Sequence, residues 1–204
     1  MPDETNDGAI TSTAVARARP IKLILFDVDG VLTDGTLWFV PGTGPERGEN
    51  GASRMVETKG FHAHDGIGFA LARIAGLKTG LITKRQSEVV AQRGRDLKLD
   101  YVLQGAHDKA TALLEILGEG GLSGAQTAFV GDDIVDLPAM RLCGLAIAVA
   151  NARAEVKREA HWTTGRPGGQ GAARDAIEFV LRAQNRLDAT LEKYLQPGAP
   201  AASL

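Results

Sequence analysis

The sequence predicts an α/β protein: a Rossmann-like parallel sheet with helices on both faces and a β-hairpin inserted after the first strand. Three observations carry this. The apolar run from Ile21 to Phe26 reads as a strand covered on both faces. From Leu77 onward, short β-prone runs alternate with helical ones, the pattern of βαβ crossovers and a parallel sheet. Between these regions, two β-prone segments flank a Gly/Pro-rich connector and predict a hairpin with a long loop. A chain of 204 residues suits one domain, placed at 21–196 with the hairpin insertion at 36–61.

Composition excludes several classes of partner. A formal net charge of -2 gives no attraction to nucleic acid or to an anionic membrane, so neither is expected as a partner. No run approaches the roughly 18 apolar residues of a membrane span. Cys143 is the one cysteine, which rules out an intrachain disulfide and agrees with a cytoplasmic location. Its setting, Leu142-Cys143-Gly144-Leu145, reads as packing. Residues 1–20 are polar, lack the apolar segment of a secretory signal, and are expected to be a disordered tail; 197–204 is a second tail.

The first strand ends in Asp27-Val28-Asp29-Gly30. Residues two apart on an extended chain point the same way, so both carboxylates can face one small volume. Thr36–Val40 and Arg54–Thr58 then form the hairpin around the connector 41–51, and long loops near sites are often lids or contact arms. His62, His64 and Asp65 precede a helix to Gly76 whose apolar face is Ile67, Leu71 and Ile74. Asp65 is expected to cap it. His-x-His has no third His or Cys nearby, which favours a cap and a substrate-facing surface over zinc.

Strands are then expected at 77–83, 101–104, 127–131 and 145–149, with helices at 87–98, 109–117 and 137–142. Residues 163–171 form a glycine-rich loop able to bring backbone N–H groups close to an anion. It contains neither a P-loop nor a dinucleotide-binding fingerprint. One long helix is expected from Ala172 to about Leu195. Its second half, leucine-spaced and charged, fits either a partner subunit or a local amphipathic cap.

In a parallel sheet every strand's C-terminal tip lies at one edge, which gathers Asp27, Asp29, Thr83, Asp132, Asp133 and Asp136 at one rim. Together with Lys109 these fit phosphoryl transfer from a monoester. Asp27 can attack phosphorus and become an aspartyl phosphate. Asp29 can protonate the leaving oxygen and then deprotonate water. Mg²⁺, which takes carboxylate oxygens, can bridge the anionic nucleophile and anionic substrate, and the run Gly131-Asp132-Asp133-Ile134-Val135-Asp136 supplies them. Thr83 and Lys109 can neutralise the phosphoryl oxygens.

The order of these residues resembles the haloacid dehalogenase-like phosphohydrolases. DxDG matches Asp27 to Gly30, the Ser/Thr after an apolar strand matches Thr83, the lysine matches Lys109, and GDxxxD matches Gly131 to Asp136. The short hairpin, Phe61-His62-Ala63-His64-Asp65-Gly66 and Gln104-Gly105 are similar to the minimal-cap branch. That branch contains 3-deoxy-D-manno-octulosonate 8-phosphate phosphatases and nonulosonate 9-phosphate phosphatases. The resemblance spans 21–184. It implies a Mg²⁺-dependent phosphatase acting on a phosphorylated sugar acid, above all 3-deoxy-D-manno-octulosonate 8-phosphate, in lipopolysaccharide sugar synthesis. It also implies a homotetramer formed through the hairpins, with a neighbouring subunit helping to close the site.

By position, Asp27 would be nucleophile and Asp29 acid/base. Asp27, the Asp29 backbone carbonyl and Asp132 would bind Mg²⁺, and Asp133 and Asp136 would support the metal shell and Lys109. Gly30, His64, Asp65, Lys84 and Arg85 are expected on the substrate side. The chain reads Thr83-Lys84-Arg85 where relatives commonly read Thr-Gly-Arg, and has Gln170 where Arg is frequent. Two other readings stay open: another sugar phosphatase, such as one for a nonulosonate 9-phosphate, and a non-catalytic oligomerisation domain of the same fold.

Overall fold

The apolar run after Pro20 becomes β1 (Leu23–Phe26), and all four of its residues are buried. The computed structural model describes residues 11–42 and 55–197. After β1 the chain forms β2 (Trp38–Pro41) and β3 (Met55–Thr58), then α2 (Ala63–Ile74), β4 (Lys78–Thr83), α3 (Glu88–Leu97) and β5 (Tyr101–Gln104). It continues through α4 (Lys109–Gly120), β6 (Thr127–Gly131), α5 (Leu137–Met140), β7 (Leu145–Ala148), α6 (Ala154–Glu159) and β8 (Trp162–Thr163), and ends in α7 (Ala172–Ala183) and α8 (Leu187–Tyr194). A first helix, α1 (Ser12–Ala18), precedes β1.

The main sheet has six strands in the order β5-β4-β1-β6-β7-β8, and every pairing in it is parallel. Every residue of β1, β6 and β7 is buried, so both faces of the sheet centre are covered, as their unbroken apolar character predicts. On one side α2 packs against α7 and α8, and α1 against α7; α4 and α5 pack against each other and on β4 and β6 respectively. Phe26 meets Phe69 of α2 edge to face at 5.1 Å. The chain leaves β1 toward β4 and β5 and returns on its other side with β6, so the strand order reverses at β1. The C-terminal end of such a strand is where an open α/β sheet presents its site.

The hairpin pairs β2 with β3 antiparallel, from Trp38↔Thr58 to Pro41↔Met55. It forms its own two-stranded sheet. Its connector, 43–54, lies outside the described residues. The strands leave Trp38, Phe39, Val40, Met55 and Val56 between 45% and 59% exposed, an apolar surface of the kind that marks an interaction site.

Three expectations change. Residues 12–18 of the expected disordered tail are helical, with the Thr11 hydroxyl accepting from the Ala14 N–H at 3.1 Å. Ala14 and Ala18 are buried against α7 and Val15 is half-buried on the core, so the inward face is too small and short to signal an amphipathic helix. Residues 1–10 lie outside the described residues, as do 198–204 of the C-terminal tail. The helix expected from 172 to 195 is broken into α7 and α8 at Asn185, whose φ of 55° is a left-handed conformation that asparagine tolerates. The cap of α2 is His62, whose Nδ1 accepts from the His64 N–H. Asp65 sits inside the first turn, and its carboxylate accepts from the Arg174 N–H of α7 at 3.0 Å.

Candidate active site

The backbone of β1 carries Asp27 one residue past the strand's end, where its N–H donates to the Val130 carbonyl of β6 at 3.0 Å. Its carboxylate accepts from the Val28 N–H at 2.6 Å and pairs with Lys109 Nζ at 2.8 Å. Lys109 opens α4, which is capped by Asp108 accepting from Ala110 and Thr111. That cap fixes the first turn, so the lysine side chain enters the sheet's edge from the end of β5. Only 4% of Lys109 is exposed, and its second partner is Asp136 at 2.5 Å.

Asp136 is fully buried and braces the turn after β6. One of its oxygens meets Lys109, while the other accepts from the N–H groups of Asp132 and Asp133 at 3.0 and 3.3 Å. Asp133 caps the short helical turn 134–136 through the Ile134 N–H. Asp27, Asp132 and Asp136 each place a carboxylate oxygen so that all lie within 4.8 Å of one another. Gly30 allows this closeness. Its φ is +97°, and a Cβ there would stand 2.1 Å from Asp132 Oδ2.

Three carboxylates around one ammonium leave excess negative charge in a dry place. Burial, reinforced by the charge of Asp136, pushes the Asp27 carboxyl up to about 6 although Lys109 pulls it down. Burial together with Asp136 and Asp27 pushes Asp132 to about 7. Burial lowers the Lys109 ammonium, but Asp27 and Asp136 outweigh it and the net direction is up. Asp132 Oδ1 is buried and has no hydrogen-bond partner among the described residues. A pair of oxygen donors on Asp27 and Asp132, with the Asp136 oxygens already engaged, fits a hard divalent cation, which would relieve this repulsion.

Asp29 faces another set of partners. Its carboxylate contacts Lys59 Nζ through one oxygen and Arg85 Nε through the other at 3.6 Å. Lys59 also meets Glu57 at 2.9 Å, and Arg85 Nη1 meets Glu57 at 3.4 Å. Lys59 and Glu57 are the site residues that the sequence reading passed over. Both belong to the end of the hairpin, two residues apart as strand neighbours facing one way, but only the fold shows that this end returns to the tip of β1.

Thr83 is buried at the C-terminal end of β4, two residues past the position paired with Phe26. Lys84 and His64 are exposed, and His64 stacks edge to face on His62 at 4.6 Å. Asp65, expected on the substrate side, is 3% exposed and belongs to the α2–α7 contact, with burial raising its carboxyl to about 6. The glycine-rich loop closes over the Asp29-Gly30 turn: the Gly169 N–H donates to Val31 at 3.0 Å, and a Cβ on Gly168 would stand 1.7 Å from the Gly30 carbonyl.

Comparison with known proteins agrees with this geometry. Residues 77–174 match the family described as haloacid dehalogenase-like hydrolase. The 3-deoxy-D-manno-octulosonate 8-phosphate phosphatase KdsC of Escherichia coli (strain K12) is 33% identical over 181 residues, 89% of this chain and 90% of that protein. The Moraxella catarrhalis 3-deoxy-D-manno-octulosonate 8-phosphate phosphatase, solved in complex with a magnesium ion, a phosphate ion and a KDO molecule, superposes with a TM-score of 0.79 at 32% identity. The match covers 91% of this chain and 99% of that one. The Yersinia pestis phosphatase of the same name gives 0.78 at 32% identity, covering 91% and 94%. The chain therefore belongs to the haloacid dehalogenase-like hydrolases, in the family of the KdsC phosphatases.

Proposed function

We propose that this protein is a cytoplasmic Mg²⁺-dependent phosphatase that hydrolyses 3-deoxy-D-manno-octulosonate 8-phosphate through an aspartyl-phosphate intermediate. The observation that carries this reading is the Asp27–Lys109–Asp136 chain beside Asp132 at the tip of β1, in a family whose Moraxella relative was solved with magnesium, phosphate and KDO. Asp27 and Asp132, with the Asp29 backbone carbonyl, would hold the cation; it supplies charge neutralisation between nucleophile and phosphoryl group.

An Asp27 oxygen attacks phosphorus while the ester P–O bond breaks, and the departing sugar oxygen takes a proton from Asp29. Water then attacks the aspartyl phosphate, gives its proton to Asp29, and leaves inorganic phosphate and free Asp27. Lys109 holds the nucleophile in place and offsets charge on the phosphoryl oxygens, with Thr83 at the neighbouring strand tip as a further donor.

Lys84 in place of glycine and Gln170 in place of arginine keep open a second reading, in which the substrate is a nonulosonate 9-phosphate. Released phosphate should be measured with 3-deoxy-D-manno-octulosonate 8-phosphate, a nonulosonate 9-phosphate and glucose 6-phosphate, each with Mg²⁺. The expected order places the first ahead by at least about tenfold in kcat/KM, a margin of about 1.4 kcal/mol in transition-state binding. Preference for the second moves the assignment within the family, and inactivity on all three returns the non-catalytic reading.

The exposed apolar hairpin fits a second copy of this chain, and the assembly proposed is a homotetramer built on it. Replacing Trp38 and Phe39 by Ser is expected to lower the mass seen by light scattering. A wild-type monomer at assay concentration refutes the assembly.

A further inference from the structure

Asp29, Lys59, Glu57 and Arg85 form a closed ring of alternating charge. One Asp29 oxygen meets Lys59, Lys59 meets Glu57 Oε1 at 2.9 Å, Glu57 Oε2 meets Arg85 at 3.4 Å, and Arg85 returns to the other Asp29 oxygen at 3.6 Å. The members come from three segments: the turn after β1, the end of the hairpin, and the turn after β4. Their grip is unequal. The Lys59 side chain is 1% exposed and that of Arg85 44%, so the lysine contacts are shielded from water while the arginine contacts are long and screened.

We infer that Lys59 and Glu57 are positioning residues: with Arg85 they hold the Asp29 carboxylate away from the Asp27–Asp132–Asp136 cluster and set it for hydrolysis of the aspartyl phosphate. This rests on the reading of Asp29 as acid and base. A cation held by Asp27 and Asp132 would attract the carboxylate two residues along the same turn, and an unrestrained Asp29 would become an extra ligand. A ligand bound that way cannot take a proton from water. The buried Lys59 ammonium competes for the same carboxylate, and Glu57 keeps Lys59 and Arg85 where they can do so. The hairpin end thus serves the chemistry as well as the surface.

The test uses p-nitrophenyl phosphate with Mg²⁺ in a rapid-mixing burst assay. Its leaving group departs with little proton donation, so formation of the aspartyl phosphate proceeds without Asp29, while its hydrolysis still needs a base. Lys59→Met is expected to release close to one p-nitrophenolate per site in a fast phase. A steady state should follow that is slower than wild type by on the order of 10- to 100-fold. Glu57→Gln should show the same two phases with a smaller loss, and Lys59→Arg should recover most of the steady rate.

A Lys59→Met variant that keeps the wild-type rate overturns the proposal. So does one that loses rate with no burst while its circular dichroism and melting are normal, because the loss then falls on the first step. Asp29→Asn, run alongside, separates the two layers. If it bursts and Lys59→Met does not, the positioning role alone falls; if Asp29→Asn turns over like wild type, the acid/base reading falls and the positioning role with it.

Discussion

Asp27→Asn is expected to remove phosphatase activity, by on the order of 10⁴-fold or more in kcat, with the fold intact. The amide has the carboxylate's shape but not its charge, and it cannot form the acyl phosphate of the proposed two-step reaction. The structure argues against loss of folding as the cause. Asp27 lies in a place where burial and Asp136 already press it toward the neutral form, to about 6, so a neutral isostere relieves repulsion even as it weakens the contact to Lys109. Lys109 retains Asp136 at 2.5 Å and is not left as an unpaired buried charge. The measurement is steady-state phosphate release beside a thermal melt. Turnover at the wild-type rate with an unchanged melt would end the covalent mechanism for this chain.

The parts of the molecule that were legible in the sequence are those where a local pattern and its physical cause coincide. β1, β6 and β7 are fully buried because they are apolar throughout, and the parallel order brings Asp27 and Asp132 to one rim from opposite ends of the motif series. The GDxxxD turn was readable because its chemistry is short-range. Asp136 reaches the N–H groups of Asp132 and Asp133 within its own turn.

What was not legible depended on contacts made across the chain. Asp65 looks like a helix cap from its neighbours, but its carboxylate is taken by the Arg174 N–H of α7, 109 residues along the chain. α1 fully buries only alanines, and Asn185 breaks the last helix through one left-handed residue that leaves no mark in the hydrophobic spacing. Lys59 illustrates the same limit at the site itself. A lysine two residues after a glutamate is ordinary surface sequence, and its burial follows from the hairpin folding back on Asp29.

Exhaustive chelation is expected to abolish phosphatase activity, and Mg²⁺ is expected to raise the melting temperature far more at pH 8 than at pH 5. With no cation bound, Asp27 titrates at about 6 and Asp132 at about 7, both above the ordinary value of 3.8. A carboxyl that binds its proton more tightly in the folded chain favours folding fully below the unfolded value, and that contribution is lost as pH rises through the folded one. Stability from these two groups is therefore present below about pH 4 and gone above about pH 7, where Asp27, Asp132 and Asp136 repel one another. Divalent metal offsets this repulsion where the carboxylates are ionised, whereas at pH 5 it must first displace their protons. At a hundredfold excess over Kd, ligand binding stabilises by about 2.7 kcal/mol, which for a chain of this size is roughly 5–10 °C. That shift belongs to pH 8, and most of it should vanish at pH 5. Asp132→Asn should lose most of the shift at pH 8 while raising the metal-free melting temperature there. Equal Mg²⁺ shifts at both pH values, or full activity after chelation, would show that the carboxylate cluster is not the metal site.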